Sequence, residues 1–143
     1  NTEKPVAFSI HLRIPEWRGP ATQLFINGQK SYSAITAGSF LELSRTWKKN
    51  DRIQIMFDMK LRLEPLNTSH PELAALLYGP LVLFPVNSSN NDYTNEQLLT
   101  AKKRTPTEWI INAGKTEVLF KPFMSIGDEK YRLYNKLSKP LKA

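Results

Sequence analysis

Apolar and polar residues alternate strictly from Phe8 to Ile14, within the segment that begins at Val6. Phe8, Ile10, Leu12 and Ile14 fall on one side, and Ser9, His11 and Arg13 on the other. A period of two places successive side chains on opposite faces of an extended strand, so the pattern predicts a strand over Ala7–Ile14 with one buried face. Pro15 ends it by removing a backbone donor. The same reading predicts strands at Gln23–Ile26, Phe40–Ser44, Arg52–Phe57 and Leu81–Phe84, with a further alternation from Lys60 to Glu64. Asn27-Gly28 follows the second strand, and both positions tolerate positive φ, as a tight hairpin requires. The expected core holds Phe8, Ile10, Leu12, Ile14, Trp47, Ile53, Ile55, Phe57, Leu81 and Leu83.

The second half is less regular. Leu73 to Phe84 is apolar and broken at Gly79-Pro80, which fits either two buried strand pieces or one bulged strand. Asn87 to Asn95 is a polar loop. Thr94 to Ala101 reads as a short helix, with Thr94 as cap and Gln97 at the capping-box position. Trp109–Ile111, Glu117–Lys121 and Lys130–Tyr134 read as further strands, and the tail after them as frayed. Short strands spaced about ten residues apart predict an all-β fold, an antiparallel, jelly-roll-like β-sandwich with at most a short helix. Two segments are expected, 1–66 and 67–143, the second able to pack with the first as one unit.

Composition narrows the chemistry. With no cysteine there is no disulfide, thiolate nucleophile or cysteine-ligated metal. The formal charge is +7, but the lysines and arginines are scattered, with clusters only at Lys102-Lys103-Arg104 and in the tail. That distribution reads as a solvated surface and not as a nucleic-acid face. No apolar run reaches the roughly 20 residues of a membrane-spanning helix. The N-terminal residues carry neither a start methionine nor a leader's apolar stretch, and read as a cut inside a longer chain.

Catalytic candidates are diffuse. His11 and His70 are far apart, and neither belongs to a closely spaced ligand group. Thirteen carboxylates are present, and nothing in their spacing singles out the pair a glycosidase needs. No nucleophile elbow or phosphate-cradling glycine loop occurs. No catalytic, metal or cofactor residue is therefore assigned. Aromatic rings remain, since a flat ring can stack on the C–H face of a sugar. The rings include Trp47, Trp109, Tyr32, Tyr78, Tyr131 and Tyr134. Trp47 reads as core. Trp17, in the loop Pro15–Pro20, and Tyr93, in the polar loop, are the candidate carbohydrate contacts.

An ordered set of motifs adds to this reading. Leu12-Arg-Ile-Pro-Glu-Trp17 is followed by Phe25-Ile-Asn-Gly28, Arg45-Thr-Trp47 with Asn50-Asp51, Gly79-Pro-Leu-Val82 and Phe120-Lys-Pro-Phe123. The series resembles the region after the catalytic barrel in β-L-arabinofuranosidase-type enzymes, glycoside hydrolase family 127 and its relatives. The glycine usual before Asp51 is Asn50 here, which also accepts left-handed geometry. The resemblance implies non-catalytic β-sandwich modules, with the acid/base, the nucleophile and the zinc ligands all in a barrel elsewhere in the parent chain.

Two functions follow as expectations. The first is an accessory region that supports the catalytic barrel of a hydrolase acting on arabinose-containing plant glycans. The alternative is a carbohydrate-binding module using exposed rings. The expected partners are that barrel, possible carbohydrate, and a second copy through an exposed strand edge near 1–14. The resemblance also implies a bacterial setting in the periplasm or at the cell surface, with a cytoplasmic location left open.

Overall fold

The computed structural model describes residues 3–114 and 116–141. The chain forms two compact units, Asn1–Met59 and Lys60–Ala143.

The first unit contains β1 (Val6–Arg13), β2 (Gln23–Ile26), β3 (Gln29–Ser31), β4 (Phe40–Trp47) and β5 (Ile53–Met56). β1 and β4 pair as an antiparallel two-stranded sheet, and β3-β2-β5 form a second sheet. The alternation in β1 sets its register on β4. Ile10 stands opposite Leu43 and Leu12 opposite Leu41, while Ser9 meets Ser44 and His11 meets Glu42 on the other face. The core joins Leu41, Leu43 and Trp47 with Leu24 and Ile14, and half-buried Ile10, Leu12, Ile26, Ile53 and Ile55 close around them. The turn between β2 and β3 holds Asn27 at φ 52° and Gly28 at φ 78°, as the Asn-Gly pair predicts.

Phe8 departs from the expected core. It is 43% exposed although it shares the inward face of β1 with Ile10 and Leu12. Among the described residues the sheet has two strands, and Val6, at the same end of β1, is 45% exposed. Phe57 lies just past β5 and is half-buried.

The second unit holds β6 (Leu61–Pro65), β7 (Leu73–Tyr78), β8 (Leu81–Pro85), β9 (Asp92–Tyr93), α1 (Asn95–Leu99), β10 (Lys102–Thr105), β11 (Glu108–Ala113), β12 (Thr116–Pro122) and β13 (Asn135–Leu137). They build one curled sheet in the order β10-β11-β12-β8-β7-β13-β9, with β6 on β7. Every pairing is antiparallel except β13 with β9. Gly79, at φ 55°, and Pro80 make the turn of a β7–β8 hairpin, which decides for two strand pieces. α1 has the full capping box: the Gln97 N–H donates to Thr94 Oγ1, and Gln97 Oε1 accepts from the Thr94 N–H. The core gathers Leu76, Leu83, Tyr93, Leu98, Trp109, Ile111, Phe120 and Leu137.

Two expectations near the end of the chain are corrected. Lys130–Tyr134 is not a strand; only Tyr131 makes a bridge there, to Val86. The tail is not frayed at Asn135–Leu137, because β13 pairs with β7 and β9 and buries Asn135 and Leu137. Its alternation is only three residues long, too short to stand out in the sequence. The all-β fold class holds, with α1 as its short helix.

Candidate functional site

His11 lies on the outward face of β1, opposite Glu42. The Ser9 and Ser44 hydroxyls each donate to Glu42 Oε1 at 2.8 Å. These bonds, Ser44 first and then Ser9, together with the nearby His11, hold the Glu42 carboxyl below the usual range. His70 pairs with Glu72 at 3.2 Å on an exposed loop of the second unit. Among the described residues no three His, Asp or Glu side chains gather where a metal could sit.

Several carboxylates are used as local fasteners. Asp51 accepts from the Lys48 N–H and from Asn27 Nδ2, each at 2.8 Å, and these bonds lower its pKa. Glu129 accepts from Lys121 Nζ at 2.5 Å and from the Gly127 N–H at 2.6 Å. The Lys121 bond is the larger cause of a pKa held down to about 2. Glu64 pairs with Arg62 and Glu117 with Arg104. Glu42, Asp51, Glu72 and Glu129 are all pushed toward the ionised form. A glycosidic general acid needs the opposite, a carboxyl kept protonated by burial or by a like charge.

The two ring candidates have different surroundings. Trp17 and Tyr93 lie in different units. Trp17 is half-buried and meets Phe57 edge-on, with centroids 5.3 Å apart and planes at 63°. Tyr93 is only 1% exposed, and its hydroxyl donates to the Asn90 carbonyl at 3.0 Å. Tyr93 therefore offers no face to a sugar. The β9 pairing with β13 turns it into the core, and a two-residue strand gives no periodicity by which to foresee that. Trp47 and Trp109 are also core, at 5% and 1% exposure.

Other rings are exposed: Tyr32 and Phe40 in the first unit, and Phe123, Tyr131 and Tyr134 in the second. Phe123 and Tyr131 stand on the surface of the second unit and meet Phe84 in a triangle with centroid distances of 5.6–6.3 Å. Phe123 was not among the candidate rings, which were all tryptophans and tyrosines. The 3₁₀ turn Phe123–Ser125 carries it outward. All three pairs are edge-to-face, at 66–75°, so the triangle is a knob of packed rings and not a flat platform. A groove of about 550 Å³ in the same unit is lined by Asn87, Ser88, Asn90, Thr116, Glu117 and Glu129, among others. Its polar groups largely hold the loop: Asn87 Oδ1 accepts from the Lys130 N–H, and the Asn90 carbonyl accepts from Tyr93 and Arg132.

Comparison with known proteins agrees with the motif series. Residues 1–59 match the family model described as beta-L-arabinofuranosidase, GH127 middle domain. The fold recurs in a solved glycoside hydrolase with a TM-score of 0.66 and 21% identity, covering 93% of this chain and 28% of that one. It recurs in a GH127 beta-L-arabinofuranosidase from Geobacillus stearothermophilus T6, with a TM-score of 0.66, 16% identity, and 95% and 27% coverage. A GH127 beta-arabinofuranosidase gives a TM-score of 0.62 and 21% identity, over 96% of this chain and 29% of that one. No curated protein sequence matches the chain significantly. The resemblance carried by the motifs is thus borne out, by sequence for the first unit and by fold for nearly the whole chain. The chain spans 27–29% of the length of these three solved structures.

Proposed function

We propose that this chain is the non-catalytic β region of a larger glycoside hydrolase acting on arabinose-containing plant glycans. Its role is to support the catalytic barrel of the parent protein. The observation that carries the reading is the match of residues 1–59 to a middle-domain model, joined to a fold that recurs as less than a third of whole glycoside hydrolases. The chemistry of the chain supports it. The carboxylates with shifted pKa values are all biased toward the charged form, as suits fastening turns and not protonating a leaving group. The exposed rings of Phe123 and Tyr131 meet edge to face, which suits packing against protein better than stacking on sugar. A bacterial periplasmic or cell-surface location follows from the same reading.

Activity assays test it directly. The isolated chain should release no nitrophenol from nitrophenyl β-L-arabinofuranoside. Turnover that survives repurification and is lost on replacing a carboxylate of this chain would overturn the proposal. In the parent hydrolase, deleting the region equivalent to 1–143 should lower the unfolding temperature of the remaining barrel. An unchanged temperature would remove the supporting role.

A further inference from the structure

Asn27 is tied to a neighbouring turn through both its main chain and its side chain. Its N–H donates to the Arg52 carbonyl at 2.9 Å, and its Oδ1 accepts the Arg52 N–H at 2.8 Å. Its Nδ2 donates to Asp51 Oδ1 at 2.8 Å. Asp51 also accepts the Lys48 N–H, and the Lys48 bond first, then the Asn27 bond, hold its carboxyl below the usual range. One side-chain amide thus joins the β2–β3 turn to the segment between β4 and β5. The link needs a donor at Nδ2. An ionised oxygen in that place would face the Asp51 carboxylate at hydrogen-bond distance, where like charges repel.

The next residue puts that amide at risk. Of all the asparagines in the chain, only Asn27 is followed by glycine. Glycine has no side chain to shield its nitrogen. Gly28 stands at φ 78°, and a Cβ on residue 28 would meet nothing within 4 Å beyond its chain neighbours. The Arg52 N–H is bonded to Asn27 Oδ1, the oxygen on which negative charge gathers when Cγ is attacked. The bond that holds the side chain therefore also stabilises an attack on it.

We propose that Asn27-Gly28 is a self-modification site, at which loss of ammonia from the Asn27 amide severs the link between the two turns. The Gly28 nitrogen gives up its proton to water and attacks Asn27 Cγ. The N–Cγ bond forms, the Cγ–Nδ2 bond breaks, and Nδ2 takes a proton from water and leaves as ammonia. A second water opens the succinimide ring at either carbonyl, leaving aspartate or isoaspartate; nothing is oxidised or reduced. The aspartate product sets a second carboxylate against Asp51. The isoaspartate product adds a carbon to the main chain of a two-residue turn, and that turn fixes the register of Leu24 on Ser31 and Ile26 on Gln29. Leu24 is a core residue of the first unit, so either product loosens that unit with age. The reacting atoms lie on adjacent residues, so the inference depends neither on the glycoside hydrolase reading nor on what surrounds the chain.

Peptide mapping by mass spectrometry, after incubation in mildly alkaline buffer, tests the chemistry. The Asn27 peptide should gain acid forms about tenfold faster than any other asparagine peptide, and enzymatic methylation should detect isoaspartate in it. Gly28→Asn keeps a residue that accepts positive φ but adds a Cβ beside the nitrogen, and should slow the reaction about tenfold. The same conversion should occur in the longer parent chain. Asn27→Asp, which reproduces the charge change, should lower the urea midpoint. Adding Asp51→Asn, which returns a donor to the pair, should recover most of that loss. An Asn27 that stays amidated while other asparagines convert would overturn the proposal, in this chain or in the longer one. So would an unchanged rate in Gly28→Asn, an Asn27→Asp variant as stable as the unsubstituted chain, or a double variant that recovers nothing.

Discussion

The indole N–H of Trp47 donates to the Phe8 carbonyl at 3.0 Å, and the two rings stand 6.0 Å apart. Trp47 thereby does two things at once. It fills the space between the sheets of the first unit, and it ties the last residue of β4 to the exposed end of β1. Trp47→Ala should destabilise the unit by about 3–5 kcal/mol, the range for losing a large buried aromatic to a cavity. Trp47→Phe should cost less, since it keeps most of the packing and loses the hydrogen bond. Urea midpoints of the three proteins check this. A Trp47→Ala midpoint equal to the parent's would show that the ring is not core.

Asn50 sits at φ 71° in the turn between β4 and β5. Asp51 closes that turn, accepting the Lys48 N–H, and also binds Asn27 in the β2–β3 turn. Left-handed backbone costs a residue with a Cβ about 1–2 kcal/mol, and glycine and asparagine escape most of it. Asn50→Val should therefore lower stability by about 1–2 kcal/mol. Asn50→Gly should leave it within about 0.5 kcal/mol of the parent, as for most surface changes. A valine variant as stable as the glycine one would mean that the turn does not demand this geometry.

These turns were legible because their residues have few conformational options. Asn27-Gly28, Gly79-Pro80 and the Thr94/Gln97 cap each constrain local backbone whatever surrounds them. The β1 register was legible for a similar reason, since an eight-residue alternation has only one way to bury its apolar side. What the sequence concealed depends on distant pairing. β13 exists because β7 and β9 leave a place between them, and Tyr93 is buried because β9 lies against that strand. Phe8 has the sequence of a core residue and is nevertheless 43% exposed, near the start of β1. The Phe84–Phe123–Tyr131 triangle joins segments far apart in the chain, and no local pattern announces it.

Glu129 provides a pH prediction. Its carboxyl is held down to about 2, chiefly by Lys121 and then by the Gly127 N–H. A carboxyl with a lowered folded-state pKa binds fewer protons in the folded than in the unfolded chain. Its stabilisation is complete above the unfolded value of about 4.3 and is lost as pH falls through the folded one. Glu42, Asp51 and Glu72 are shifted the same way and steepen the loss. Lys121, raised mainly by its bond to Glu129, acts at the other end, with stability complete below the unfolded lysine value and lost as pH climbs through its raised pKa. Urea midpoints should fall between about pH 4.3 and 2. The slope should be shallower in Glu129→Gln, and equal slopes would show that the pair does not contribute.

The loop that carries Trp17 offers a steric test. Gly19 is buried against Asp58: its N–H donates to the Asp58 carbonyl at 2.6 Å, and the Ala21 N–H donates to Asp58 Oδ2 at 3.1 Å. The Thr22 hydroxyl completes the stitch, donating to the Gly19 carbonyl at 2.9 Å and accepting the Asp58 N–H at 3.1 Å. A Cβ on residue 19 would lie 2.2 Å from Asp58 Oδ2 and 2.8 Å from the Asp58 carbonyl oxygen. The side chain could swing away, but the carbonyl could not without breaking the main-chain bond. Gly19→Ala should therefore destabilise by about 1–3 kcal/mol, as overpacking does. It should also shift the near-ultraviolet circular dichroism, because Trp17 on the same loop would move against Phe57. Removing the carboxylate as well, in Gly19→Ala with Asp58→Ala, should not restore stability, since the 2.8 Å clash with the backbone remains. Recovery in the double variant would place the conflict in the side chain alone and leave the loop free to accept a larger residue at position 19.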